Sequence, residues 1–133
     1  MLFGQEHVDR YVETDGEEGH DWNGSTVLIL TTTGRRSGDP RSTPLIYGKS
    51  GDKHLVVASK GGADEHPYWF QNIEADPEVQ VQVKDDRFTA RARAATPEEK
   101  PEMWKTMTSK WADYDEYQKK TDREIPVVVL ERA

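Results

Sequence analysis

Apolar and polar positions alternate most strictly from Glu78 to Lys84, with Val79, Val81 and Val83 on one face and Gln80, Gln82 and Lys84 on the other. That period of two predicts a half-buried strand. After a turn at Asp85-Asp86, Arg87–Ala95 repeats the pattern, Phe88, Ala90, Ala92 and Ala94 facing one way and Arg87, Thr89, Arg91 and Arg93 the other. Ser25–Thr33, rich in β-branched residues, reads as a buried strand. Arg41–Lys49 is the next, with Pro44 requiring an edge or a bulge. Ser50-Gly51-Asp52-Lys53 makes a hairpin turn into a strand at His54–Ser59. Ile125–Leu130 closes the chain as an apolar strand whose Pro126 also asks for an edge.

Helical spacing is confined to short pieces. Val8, Tyr11 and Val12 predict a helix over His7–Val12, ended by Thr14-Asp15-Gly16. Pro67–Ile73 has proline in its first turn and is stopped at Asp76-Pro77. Thr96-Pro97-Glu98-Glu99 is a capping box, opening a helix to about Lys110 that buries Met103, Trp104 and Met107. Tyr114–Lys120 is a last helical piece. About six strands joined by tight turns favour antiparallel pairing, so the pattern predicts a small, mainly β barrel with helical inserts and a ligand-sized mouth.

Charge divides the chain. Residues 1–24 hold seven Asp/Glu against Arg10 alone and are expected to form a solvated acidic helix and loop, a mobile lid over a site being the other reading, leaving 25–133 as the folded domain. The net charge of −7 disfavours a general nucleic-acid binder. No apolar run reaches the roughly 20 residues of a membrane span, so a cytoplasmic protein is expected, with at most a loose association with membranes. There is no cysteine, which excludes thiolate chemistry, and the four histidines have no metal-ligand spacing, so no metal site is expected.

Against this acidic background, residues 31–60 carry six Lys/Arg and two acids, a local +4. The stretch Thr31–Arg41 packs Arg35, Arg36, Arg41, three threonines, Ser37 and two glycines into a turn after an apolar strand. Fixed cations, hydroxyls and free backbone N–H groups are what an anionic ligand requires. Ala58-Ser59-Lys60-Gly61-Gly62-Ala63 adds a hydroxyl, a cation and two glycines that permit close backbone approach to a phosphate or a planar ring. Trp111, Tyr114 and Tyr117 recur along one helix flank, where core packing and a pocket wall are both open readings. Gly34 to Gly38 is not a P-loop, since the Gly-Lys-Ser/Thr ending is missing.

These segments, with Pro44-Leu45, Pro67-x-Trp69-Phe70-x-Asn72, Pro77-x-Val79-x-Val81-x-Val83 and Tyr114-x-x-Tyr117-Gln118-x-x-Thr121-Asp122-Arg123-x-Ile125-Pro126, closely resemble the deazaflavin (F420)-dependent nitroreductase family, which includes F420H2-dependent quinone reductases. The likeness covers roughly residues 24–131. It implies an FMN-binding-protein-like split β-barrel and an oxidoreductase that passes a hydride from reduced coenzyme F420 to quinones, nitroaromatics or the activated C=C bonds of coumarin- and aflatoxin-like lactones. By the same resemblance Arg35, Arg36, Ser37, Arg41 and Lys60 hold the anionic cofactor tail, and Pro44, Ala58, Ser59, Gly61, Gly62 and Trp69 line the deazaflavin. Trp111, Tyr114 and Tyr117 form the substrate wall, Tyr114 and Ser59 being the catalytic candidates. Trp111 and Ile46 stand where nitroreductase members often carry tyrosine, a departure that bears on the acceptor. The two basic turns flank one hairpin, so the cofactor site is expected within one chain, as a monomer. An FMN enzyme on the same barrel, or a non-catalytic carrier of F420 or a small aromatic, are the alternatives.

Overall fold

The computed structural model describes residues 2–133. Among these the strands are β1 (Asp21–Trp22), β2 (Ser25–Thr33), β3 (Pro40–Ile46), β4 (Gly48–Ser50), β5 (Lys53–Val57), β6 (Glu78–Val83), β7 (Asp86–Ala94) and β8 (Val127–Arg132). The helices are α1 (Gly4–Glu13), α2 (Tyr68–Ala75), α3 (Lys100–Lys110) and α4 (Asp113–Lys119), with a 3-10 turn at Lys60–Gly62. Every strand pairing is antiparallel, in the order β1-β2-β6-β7-β8-β5-β4, with β3 on the free side of β2. The predicted strand Arg41–Lys49 is thus broken at Tyr47. Its first part pairs with β2 and its second with β5, so one bent strand joins the two ends of the sheet and curls it into a split barrel.

Alternation explains which faces are buried. Leu28 and Leu30 of β2, Val56 of β5, Val79 and Val81 of β6, and Val128 and Leu130 of β8 fill the barrel with Trp69 and Phe70 of α2. Leu55, Val57, Val127 and Val129 point the other way, under Met103 and Met107 of α3 and Tyr114 of α4. β5 and β8 are therefore covered on both sides, which is why they read as continuous apolar runs rather than alternating ones. Thr96 and Glu99 form the expected reciprocal cap, at 3.2 and 2.9 Å, one turn ahead of α3. Trp104, expected in the core, is only half-buried, and its indole N–H donates to Asp115 at 2.7 Å.

Two proline readings divide. Pro44 lies opposite Ile29 on β3, which pairs with β2 alone, an edge as predicted. Pro126 is not at an edge, because β8 sits between β7 and β5. It stands one residue before the strand, where its missing N–H costs no ladder bond, and its carbonyl accepts from Ala58 N–H at 3.0 Å.

The amino-terminal segment departs most from expectation. α1 is not a solvated helix: Val8 and Tyr11 pack against Val27 and Ile29 on the outer face of β2. Tyr11 is 0% exposed, donates to the Val27 carbonyl at 2.9 Å, and accepts from Lys84 N–H at 2.8 Å. Lys84 is the left-handed residue (φ 55°) of the β6–β7 turn, so one phenol ties α1, β2 and that hairpin together. Burial pushes the phenol up to about 12. Tyr11→Phe keeps the ring and orphans a buried carbonyl and N–H. It is expected to cost about 1–3 kcal/mol in denaturant unfolding. A stability equal to wild type would show both groups finding other partners.

Candidate active site

The turn between β2 and β3 is built from short-range bonds. Gly34 N–H donates to the Asp39 carbonyl and Gly38 N–H to the Gly34 carbonyl, each at 2.8 Å, and Asp39 N–H donates to Ser37 Oγ at 3.1 Å. Gly38 adopts φ 75°, a left-handed conformation that glycine takes without a Cβ penalty. Asn72 of α2 fixes the turn from behind. Its Oδ1 accepts from Arg35 N–H and the Arg35 guanidinium, at 3.2 and 3.3 Å, while its amide donates to Thr32 Oγ1 at 3.1 Å. The N–H groups of Arg36 and Ser37 meet no protein acceptor among the described residues. Nor does any of Arg35, Arg36 and Arg41 hold a carboxylate among them, whereas Arg10, Arg87, Arg93 and Arg132 each do. Cations without a carboxylate partner and free N–H donors thus gather around a pocket of about 190 Å³, the groups that an anionic ligand requires.

Beside it lies a cleft of about 600 Å³ with mostly apolar walls. Its lining takes Pro44, Leu45 and Ile46 from the edge strand and Tyr68 and Trp69 from α2. Trp111, Tyr114 and Tyr117 add an aromatic group, and Phe3, His7 and Trp22 come from the amino-terminal segment. Trp22 and Trp111 lie 6.0 Å apart at 33°, and Trp111 Nε1 donates to the Tyr117 hydroxyl at 3.3 Å. Tyr114 is buried, which pushes its phenol well above the usual tyrosine range, with neighbouring Tyr117 adding to the shift. Its hydroxyl has no hydrogen-bond partner among the described residues and is not sealed off, the one such sealed atom being Ser25 Oγ. Tyr68, 46% exposed, lines both the cleft and the arginine pocket and so joins them.

Ser59, Lys60 and Gly61 also line the cleft. Ser59 is right-handed (φ −83°, ψ −39°) and Lys60 left-handed (φ 45°). That succession forms the backbone concavity that receives anionic or carbonyl oxygens, and the N–H groups of Ser59, Lys60 and Gly61 have no protein partner among the described residues. Lys60 lines the cleft rather than the arginine pocket, its ammonium 2.6 Å from Glu65, whose carboxyl it holds below the usual range. Arg123 supports this loop from beneath, donating to the carbonyls of Ala63 (2.7 Å), Ala58 (3.2 Å) and Ser59 (2.8 Å) and contacting His66 Nδ1 at 3.1 Å.

Most residues singled out in the sequence gather here: Arg35, Arg36, Ser37 and Arg41 at one end, and Pro44, Ser59, Lys60, Gly61, Trp69, Trp111, Tyr114 and Tyr117 around the cleft. Ala58 and Gly62 do not line it. Ala58 is fully buried behind the loop. Gly62 (φ 86°) lets α4 approach, since a Cβ there would fall 2.6 Å from the Tyr117 carbonyl. Sequence reading missed Tyr68, His7, Trp22 and Phe3 as lining, and Asn72 and Arg123 as supports. The last two were visible within the recurring motifs but carried no role.

A family model described as F420H(2)-dependent quinone reductase matches residues 3–132. An F420H(2)-dependent quinone reductase of Mycobacterium tuberculosis is 40% identical over 130 residues, 95% of this chain and 87% of that protein. A solved structure of an F420-H2 dependent reductase is 42% identical, covering 79% of this chain and 93% of that one, with a TM-score of 0.74. Another, described as a domain-swapped dimer, is 39% identical over 96% of both chains, with a TM-score of 0.77.

Proposed function

The chain belongs to the F420H(2)-dependent quinone reductase family, and on that premise we propose that it transfers a hydride from reduced coenzyme F420 to a quinone held in the aromatic cleft. One observation carries the reading: Tyr68 joins a flat, aromatic-walled cleft to a pocket of unpaired arginines. A ligand with a planar ring at one end and a polyanionic tail at the other fits that pairing, and F420 is such a molecule. The arginine pocket and the free N–H groups of Arg36 and Ser37 would take the tail. Pro44, Trp69 and the Ser59–Gly61 concavity would take the ring.

When bound, reduced F420 supplies the hydride, so the chain needs no redox-active side chain of its own. Its residues orient and desolvate. Trp111, Tyr117 and Trp22 offer a flat acceptor a stacking wall and exclude water from one side. Tyr114 keeps its proton, because burial disfavours the phenolate, and serves as a hydrogen-bond donor to the oxygen where charge develops. Ser59, which lines the same cleft, can donate a second hydrogen bond. Nitroaromatics and the activated C=C bonds of coumarin- and aflatoxin-like lactones share the flatness and polar oxygen that this wall selects, and we include them as acceptors. Among the described residues no helix is long and apolar enough to cross a membrane.

Oxidation of F420H2 with menadione, beside separate spectroscopic titrations with F420 and FMN, tests the reading. Tight FMN binding without F420 binding would overturn it, and F420 binding without oxidation of F420H2 by any acceptor would make the chain a carrier. Arg36→Ala should weaken F420 binding by roughly one to two decades, the scale of a charge-assisted contact worth about 1.5–3 kcal/mol. Added salt should weaken the wild type as well. Lys60→Ala should lose less than Arg36→Ala, since its ammonium already has Glu65. Glu65→Gln, which frees that ammonium, should tighten binding a few-fold. Affinity indifferent to all three changes and to salt would place the tail elsewhere. We further propose that one chain completes the cofactor site, although one relative is a domain-swapped dimer. Binding lost on dilution to monomer would contradict this.

A further inference from the structure

Resting on that reading, we propose that His7 meets the acceptor's oxygen and supplies the proton that accompanies the hydride. His7 lies on α1, in the acidic amino-terminal segment, yet it is 2% exposed and lines the cleft. Its Nε2 stands 2.8 Å from the Gly19 carbonyl. A carbonyl only accepts, so Nε2 must carry a hydrogen, and every exchangeable event of this ring falls to Nδ1. Nδ1 meets no protein group among the described residues, and it is not sealed away: Ser25 Oγ is the one buried side-chain polar atom there that lacks a partner. The cleft is the cavity that His7 lines. The ring is held in place by Trp22, 6.1 Å away at 31°, and Trp22 in turn faces Trp111 on the acceptor wall.

The chemistry calls for such a group. A quinone that gains a hydride becomes a hydroquinone monoanion, and one proton on oxygen completes the hydroquinone. Tyr114 can hydrogen-bond that oxygen but holds its own proton too tightly to be the better source. From protonated His7 the Nδ1–H bond breaks as the O–H bond forms. The neutral imidazole is then recharged from water, and its bare Nδ1 can accept from the product hydroxyl.

His7→Gln keeps an N–H for Gly19 and deletes the proton carrier. With menadione it should lower kcat about 10²-fold while F420 affinity and unfolding midpoint stay at wild-type values. A second measurement needs neither cofactor nor turnover. In the imidazole 1H–15N spectrum of the wild type, with His7 assigned by its loss in His7→Gln, the stable phenol 1-naphthol should shift the His7 Nδ1 resonance. Failure of wild-type F420 binding would overturn the functional reading alone. A 1-naphthol titration that moves the Trp111 indole and leaves His7 still would overturn this proposal, as would His7→Gln with wild-type turnover.

Discussion

Tyr114→Phe is expected to lower kcat for menadione by about 10²-fold and to leave F420 affinity unchanged. The ring remains, so the contacts that Tyr114 makes among Leu55, Met107 and Val127 survive, and stability should move little. What disappears is one donor. This hydroxyl has no protein partner among the described residues, and Tyr114 lines the aromatic cleft proposed for the acceptor. Because burial pushes the phenol up, the group stays a donor throughout the neutral range, and its contribution should not itself titrate there. A loss of only about tenfold would mean that water replaces the hydroxyl in an open cleft. Wild-type turnover with every accepted acceptor would assign Tyr114 to packing alone.

The barrel was legible because its strands obey local rules. Val79, Val81 and Val83 alternate, and so do Phe88, Ala90 and Ala92, since each hairpin has one wet face. The break at Tyr47 was not legible. A strand that changes partners midway keeps its residue pattern, and only the closure of the sheet reveals the bend. Pro126 misled for a related reason. Proline excludes a ladder bond at its own position and says nothing of the strand that begins one residue later.

The arginine turn was equally readable, because three cations in an acidic chain need a local cause. Of the aromatic cleft, Trp111, Tyr114 and Tyr117 were readable too, but Phe3, His7 and Trp22 were not, since they come from a segment dominated by charge. In that segment Val8, Tyr11 and His7 fall on one stripe of a ten-residue helix. Seven acids among 24 residues mask these positions, yet Val8 and Tyr11 are enough to dock a short helix on β2. Lys60 shows the same limit on a smaller scale. Its charge is plain from its identity, but only the fold shows that Glu65 already holds it.

Arg123→Ala is the expected loss that reaches both stability and binding. The guanidinium donates to three carbonyls of the Ala58–Ala63 loop and touches His66, spanning the gap between α4 and β5. Its own segment is braced as well: Gln118 donates to the Arg123 carbonyl at 2.8 Å and accepts from Ile125 N–H at 2.9 Å, and Thr121 donates to Asp64 at 2.8 Å. Hydrogen bonds to a charged donor are worth about 1.5–3 kcal/mol apiece and overlap when they share one group, so a total near 2–4 kcal/mol is expected. For a chain of this size that corresponds to a fall in Tm of roughly 8–15 °C. The freed loop carries the backbone N–H groups proposed for the cofactor ring, so F420 affinity should fall too, although Arg123 does not line the cleft. Arg123→Lys separates charge from shape, because one ammonium cannot reproduce a planar fork spread over three carbonyls, and it should recover less than half of either loss. Amide exchange locates the effect: Gly62 and Ala63, whose N–H groups donate to the Ser59 and Lys60 carbonyls, should exchange faster in Arg123→Ala while Val79 and Val81 in β6 keep their protection. Wild-type Tm and F420 affinity in Arg123→Ala would show that the loop holds its shape without this residue.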